Sequence, residues 1–206
     1  MPKLEAHAAL RAALRELCAR FPAPYWRELD QRRAYPEAFV AALTAAGYLG
    51  ALIPQEYGGL GMRLTEASII VEEINRSGGN AGPYHAQMYT MGTILRHGSD
   101  AQKRAYLPAI ARGELRLQAF GVTEPEAGTD TASITTTATR AGDRYRINGR
   151  KAYLSRVQHS DLLLLLARTA PRERARRRTD GLSMLLVDLR EALGHGLTVT
   201  PIQVML

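Results

Sequence analysis

Near the middle of the chain, "GVTEPEAGTD" (residues 121–130) places two acids around a proline, then a glycine, a hydroxyl and a third acid. Two chemistries fit. As a turn after a strand, Pro125 fixes φ and Gly128 is free to take positive φ. As a cradle for an anion or a cofactor, Gly128 allows close approach of the backbone, and Thr129 adds a hydroxyl beside exposed N–H groups. Spacing alone leaves both open. Glu124 and Glu126 also stand out as carboxylates that could move a proton.

Other reactive constellations are weaker. The segment has no Gly-Lys-Ser/Thr and is not a Walker loop; "GGLGM" (Gly58 to Met62) does not join a strand to a helix in a βαβ unit, as a dinucleotide fingerprint would. His7, His85, His97, His159 and His195 are scattered, with no pair at metal-ligand spacing and no cysteine cluster, so no metal is expected. There is no Gly-x-Ser-x-Gly elbow. Cys18, the single cysteine, falls on a helix face with Leu10, Leu14 and Leu17 and reads as a buried structural thiol.

The net charge of +7 and pI near 9.8 raise the question of a polyanionic partner. The excess is mostly arginine spread along the chain, and its densest patch, "PRERARRRTDG" (Pro171 to Gly181), lies between two strand-like runs. That patch reads as a solvated hairpin loop, with the outer phosphate of a substrate as the alternative, and no nucleic-acid partner is expected. A composition of 46% hydrophobic and 23% charged residues is that of a globular protein. No apolar run approaches the roughly 20 residues of a membrane span. The N-terminal "MPKLEAHAALRAALRELCARF" is broken by charges, unlike a secretory signal, so the expected location is the cytoplasm.

Helices come first among the elements that must position these residues. "YPEAFVAALTAAGYLGALIP" has a proline near a helix start and Gly47 at its stop; "LTEASIIVEEINRSGG" offers Thr65 as an N-cap and an apolar side of Ala67, Ile70, Val71 and Ile74. "YHAQMYTMGTILRHG" and "SDAQKRAYLPAIARGE" continue the pattern, the latter capped by Ser99 or Asp100 and bent or divided at Pro108. After Leu117 the period shifts to alternation, with turn signals at Ala141-Gly142-Asp143 and Asn148-Gly149. "DLLLLLART", "GLSMLLVDL" and "GLTVTPIQVML" read as strands, the two leucine-rich ones buried on both faces. The fold class expected is α+β: an antiparallel helical bundle over 1–117, then a mostly antiparallel β domain, an incomplete barrel or sandwich, over 118–206. The last residues read as mid-strand, so a fragment, or a core completed by another segment, is expected.

At this point the motifs resemble those of a known family. "GVTEPEAGTD" followed by Ser133 is similar to the signature of the acyl-CoA dehydrogenases, flavoproteins that introduce an α,β double bond into an acyl thioester. "IPQEYGGLGMRLTEASIIVEEI" resembles the family's segment in the helical domain, "GSDAQKRAYLPAIARGE" its helix before the signature, and "YRINGRKAYLS" its strand pair beside the flavin. Together they cover nearly the whole chain, in the family's order.

The resemblance implies FAD as cofactor, with hydride transfer to flavin N5, and a place in fatty acid metabolism. It puts Phe120, Val122 and Thr123 along the flavin's pyrimidine edge, whose acceptors N1, O2 and O4 and donor N3 suit a strand edge and one hydroxyl. It puts Gly128 and Thr129 near the FAD pyrophosphate and the acyl-CoA. In "KAYLS", where the family has tryptophan, a spacer and threonine, Tyr153 would flank the flavin, with Leu154 as the spacer and Ser155 bonding near N5 and O4. Arg156 then departs from the family's asparagine. Tyr84, His85, Met88, Tyr89 and Gly92 lie on the helix that would line the acyl pocket, with core packing as the competing role. The family's catalytic glutamate belongs to a third, helical domain that is expected to be missing here, and Glu124 and Glu126 match signature positions, not that base. Partners implied are the acyl-CoA substrate, an electron-transfer partner and further copies of the full-length chain. The alternative is a non-catalytic binding or assembly subunit of the same fold that pairs with another chain.

Overall fold

Apolar residues recur at helical spacing in the first half of the chain and at strand spacing in the second, and the fold divides where the period changes. The computed structural model describes residues 2–202. The chain forms two compact units, Met1–Arg116 and Leu117–Leu206.

The first unit contains α1 (Pro2–Ala19), α2 (Ala23–Gln31), α3 (Glu37–Ala45), α4 (Leu64–Arg76), α5 (Gly82–His97) and α6 (Asp100–Ala111). Leu14, Phe39, Leu43, Ile70, Ile74, Tyr84, Met91, Leu107 and Ile110 are fully buried between them. Each such side chain contributes about 1.5–3 kcal/mol by leaving water. Cys18 is buried with them, and desolvation pushes its thiol pKa up, as a structural thiol requires. Contacts between α1 and α4 climb together along both helices, from His7–Glu66 through Arg11–Glu72 to Arg15–Glu73, so this pair runs in the same direction.

Glu73 is the unexpected member of that interface. It is 1% exposed, yet Arg15 donates to it at 2.9 Å and Arg11 at 2.5 Å. These bonds outweigh the cost of burial and hold its pKa at about 2.

Several local expectations change. Thr65 does not cap α4; the helix starts two residues earlier, at Leu64 after Arg63, and the Glu66 carboxylate accepts from the Arg63 N–H at 3.0 Å. Ile69 is buried where Val71 is only partly so. Ser99 does cap α6, accepting from Gln102 N–H at 3.2 Å, and Pro108 stays within that helix. α2 buries no residue completely; Trp26 fastens it by an edge contact to Phe39 and a 2.9 Å bond to the Phe21 carbonyl. The "GGLGM" segment is a packing turn: a Cβ on Gly59 would lie 2.2 Å from the Ile53 carbonyl oxygen.

The second unit is built on a five-stranded mixed sheet of β1 (Ala119–Gly121), β2 (Thr137–Ala141), β3 (Arg144–Asn148), β4 (Leu162–Arg168) and β5 (Leu182–Asp188). β4 is central. β5 pairs antiparallel along its whole length, while β1 joins in parallel at Leu163–Leu165 and β2 in parallel at Arg168. β2 and β3 form the expected hairpin around Gly142-Asp143. Most paired residues are antiparallel, as expected, and the parallel pairs arise because connections through 122–136 and 149–161 bring β2 and β4 back in the direction of β1.

β4 is buried on both faces as its unbroken leucines require, whereas β5 is only half-buried. No strand forms over 196–202 among the described residues, and the remainder of the expected last strand, 203–206, lies outside them. "KAYLS" is not a strand either. Tyr153 and Arg156 take φ of +58° and +62°, which ends the extended run begun at β3.

Candidate functional site

β1 delivers the signature. Ala119 and Gly121 point into the core and Phe120 outward, 36% exposed, an alternation imposed by pairing with β4. Val122 and Thr123 follow at the half-buried edge of the unit.

The chain then turns. Glu124 N–H donates to the Ala127 carbonyl at 3.0 Å and Ala127 N–H to the Glu124 carbonyl at 3.2 Å, closing a tight reversal around Pro125 and Glu126. So the turn reading holds for 124–127, but Gly128 does not take the positive φ expected of it. Beyond it, Gly128, Thr129 and Asp130 are all exposed. A Cβ on Gly128 would meet nothing within 4 Å, so the space beside it is not filled by this unit. That leaves room for the backbone-cradle reading at 128–129.

The second flanking segment comes from 151–155. Ala152 N–H donates to the Thr123 carbonyl at 2.8 Å, and Lys151 Nζ to the Val122 carbonyl at 2.8 Å. Two stretches nearly 30 residues apart in sequence are thereby joined side by side. Tyr153 leaves this junction with its ring 75% exposed, Leu154 packs partly against the core of Ala119, Leu163 and Leu165, and Ser155 is exposed.

Beneath the junction lies a charged pair that motif reading does not single out. Glu124 is 4% exposed. Its Oε2 accepts from Thr135 N–H at 2.7 Å and from the Thr135 hydroxyl at 2.8 Å; its Oε1 accepts from Thr136 N–H and from Lys151 Nζ, both at 2.9 Å. Desolvation works to raise the carboxyl pKa, but the bonds to Thr135, Thr136 and Lys151 outweigh it and hold it at about 2. Such a carboxylate is a fixed anion with its lone pairs occupied, not a group awaiting a proton. Lys151 is held below its ordinary range, burial outweighing the carboxylate beside it. The sequence signal for the pair was a lysine at the head of an otherwise uncharged "KAYLS" and a glutamate followed by a turn.

Asp130 also has partners. Ser133 Oγ donates to it at 2.5 Å, and Arg178 from the arginine loop forms an ion pair with it. Arg168, the last residue of β4, is buried and donates to the Ala132 carbonyl at 2.9 Å. These contacts fix the exit of the signature loop from both sides.

The acyl-pocket candidates lie on α5 in the other unit. Tyr84 is fully buried, its hydroxyl donating to the Ala67 carbonyl at 3.3 Å, and burial raises its pKa well beyond the ordinary phenol. Met88 is buried too. For both, packing is the role visible within the unit. Tyr89 is 40% exposed, His85 stacks edge-on against it at 5.2 Å, and Gly92 has open space where a Cβ would be.

The donor set suits a flavin. The stretch 120–123 brings backbone polar groups to the surface, Thr123 and Ser155 offer hydroxyls, and the rings of Phe120 and Tyr153 stand exposed, as Tyr145, Ile147 and Met184 do elsewhere in the unit. No group of His, Cys, Asp and Glu among the described residues could hold a metal ion, and no described helix is long and apolar enough to cross a membrane.

Comparison with known proteins agrees. Residues 4–114 match the family described as acyl-CoA dehydrogenase, N-terminal domain, and residues 119–205 that described as acyl-CoA dehydrogenase, middle domain. Acyl-CoA dehydrogenase FadE29 of Mycobacterium tuberculosis is 38% identical over 197 residues, which is 94% of this chain and 49% of that protein. The crystal structure of an acyl-CoA dehydrogenase from Geobacillus kaustophilus superposes with a TM-score of 0.82 at 32% identity, covering 89% of this chain and 48% of that one. A chain of the ChsE4-ChsE5 complex from Mycobacterium tuberculosis gives 0.76 at 34% identity, covering 89% and 46%. The chain spans about half the length of the curated relatives it matches.

Proposed function

The chain belongs to the acyl-CoA dehydrogenase family, a family of FAD-dependent oxidoreductases, and on that premise we propose that it supplies the flavin-flanking and acyl-CoA-contacting parts of an α,β-dehydrogenase of acyl thioesters. The observation that carries the reading is the 2.8 Å bond from Ala152 N–H to the Thr123 carbonyl, which unites the two segments that the family resemblance assigns to the flavin.

FAD, when bound, supplies the two-electron acceptor that the dehydrogenation of a thioester requires. The chain's own residues do the binding. Phe120, Val122 and Thr123 would line the pyrimidine edge, with the Thr123 hydroxyl completing the pattern that the backbone begins. Tyr153 would wall the ring, Leu154 would anchor that wall to the core, and Ser155 would present a hydroxyl to the edge bearing N5 and O4. Gly128 and Thr129 would meet the pyrophosphate and the acyl-CoA. Tyr89, Gly92 and Met88 would bound the acyl chain, with Tyr84 supporting them from the core.

Removal of the α-proton needs a carboxylate free to accept it. Glu124 cannot serve, because its lone pairs are committed to Thr135, Thr136 and Lys151. The family resemblance gives Glu124 and Glu126 as signature positions and not as the base, and on that ground we assign the base to a residue outside 1–206. An electron-transfer partner and assembly with other chains complete the proposal. The second reading, a subunit that pairs with a different chain, is favoured by one observation: a solved relative is a two-component complex.

The test uses the protein that contains this chain, purified with added FAD. A retained flavin absorption band with quenched fluorescence, and reduction of an artificial acceptor by acyl-CoAs, are expected. Absence of any bound flavin sinks the cofactor reading; bound flavin without turnover until a second chain is supplied selects the paired-subunit reading.

A further inference from the structure

Three separate stretches of the second unit meet at one buried ion pair. The carboxylate of Glu124 collects Thr135 N–H, the Thr135 hydroxyl, Thr136 N–H and Lys151 Nζ, at 2.7–2.9 Å. The ammonium of Lys151 reaches on to the Val122 carbonyl at 2.8 Å. The two side chains are 3% and 8% exposed. An apolar contact of the same size would tolerate sliding. Directed bonds to named atoms do not, and setting a unique register is the best-attested use of buried charge.

Register matters here because one backbone bond, from Ala152 N–H to the Thr123 carbonyl, sets which residues of the two segments stand side by side. A slip of one residue would carry Tyr153 and Ser155 about 3.3 Å along from the Thr123 hydroxyl. The next residues add a second demand. Tyr153 and Arg156 sit in the left-handed region, at φ +58° and +62°, which costs non-glycine residues of order 1 kcal/mol each and persists only where the surroundings enforce it. After Arg156 the enforcement comes from Ser160 Oγ and His159 N–H, which donate to its carbonyl at 2.9 and 3.0 Å. Before Tyr153 it comes from Lys151 and Ala152.

We infer that Glu124 and Lys151 are a positioning pair for the cofactor site: touching no ligand themselves, they lock the register in which Thr123, Tyr153 and Ser155 face one ligand together. The inference rests on the flavin reading above.

The test measures FAD dissociation by recovery of flavin fluorescence, together with the position of the flavin absorption band, in the protein that contains this chain. Lys151→Met is compared with Leu14→Ala, a cavity at a fully buried residue of α1 that takes no part in the flavin reading. Expected are FAD binding weakened on the order of tenfold or more and a shifted band in Lys151→Met, with both unchanged in Leu14→Ala at temperatures where it is folded. Equal weakening in the two variants, or none in either, overturns the inference and reduces the pair to a stability element. Should Lys151→Met fail to fold, Thr135→Val, which deletes only the 2.8 Å hydroxyl bond, is read instead: binding and band like those of the wild type overturn the inference, and a weaker, shifted flavin supports it. Failure of the unaltered protein to hold FAD is a different result, and it overturns the flavin reading itself.

Discussion

Lys151 Nζ lies 2.9 Å from Glu124 Oε1, with both side chains almost wholly withdrawn from solvent. Breaking one side of such a pair leaves an uncompensated buried charge, which costs roughly 3–5 kcal/mol. Lys151→Met is therefore expected to lower unfolding stability by about 3 kcal/mol or more. Glu124→Gln with Lys151→Met removes both charges, and its loss should be smaller than the sum of the two single variants. Urea unfolding of the four proteins checks this as a double-mutant cycle.

The same pair sets an acid limit. The folded-state pKa of Glu124 is depressed to about 2 from an ordinary value of 4.5, as is that of Glu73. A depressed carboxyl contributes its stability in full above the unfolded value and loses it as pH falls through the folded one. Stability should thus fall steadily between about pH 4.5 and pH 2. Glu124→Gln should be less stable at neutral pH and lose less on acidification; an unchanged acid slope in thermal melts would contradict the carboxylate's assignment as a fixed anion.

How much of this was legible in the sequence depends on whether a residue's partner is periodic. The β4 leucines announce a doubly buried strand because nothing polar interrupts them, and Ser99 announces α6 because its cap lies three residues away. α2 is nine residues long and buries none of them fully, so its anchorage shows in tertiary contacts such as those of Trp26 with Phe39 and the Phe21 carbonyl. Glu73 carried a signal that could have been used: it is a charge at an apolar-face position between Ile70 and Ile74, and Arg11 and Arg15 are spaced one helical turn apart to meet it. Lys151 gave less warning, since its acid is 27 residues away. The positive φ of Tyr153 leaves no trace in residue type at all.

Two glycines should respond in opposite ways to alanine. Gly59→Ala drives a Cβ to within 2.2 Å of the Ile53 carbonyl oxygen, so the backbone must move, and a loss of at least ~2 kcal/mol is expected in thermal or urea unfolding. At Gly128 a Cβ meets only open space, so Gly128→Ala should leave stability within about 1 kcal/mol of the wild type. If that space is where FAD pyrophosphate or acyl-CoA approaches the backbone, the same variant should weaken ligand binding measurably. Unaltered FAD and acyl-CoA affinity in Gly128→Ala would remove 128–129 from the site.

The arginine loop reaches the signature through Arg178 and Asp130, but both side chains are substantially exposed, at 66% and 48%. An exposed pair of this kind contributes little and is screened by salt. Arg178→Ala should accordingly change the melting temperature little, and the small difference should vanish in high salt. A large salt-independent loss would show that the loop carries structural weight that its exposure does not suggest.

Tyr84 and Tyr89, five residues apart on α5, separate packing from recognition. The Tyr84 hydroxyl is buried and donates to the Ala67 carbonyl, so Tyr84→Phe removes a bond without emptying the core and should cost about 1 kcal/mol of stability. Its effect on acyl-CoA kinetics should be small, because the ring that supports α5 remains. Tyr89 is 40% exposed and stacks with His85, so Tyr89→Ala should cost less stability than the roughly 3–5 kcal/mol typical of truncating a fully buried ring. If Tyr89 bounds the acyl chain, its removal should instead alter kcat/KM between short and long acyl-CoAs, most simply by admitting bulkier chains. The pairing makes the test sharp: an acyl preference that shifts in Tyr84→Phe but not in Tyr89→Ala would place the pocket on the opposite face of α5.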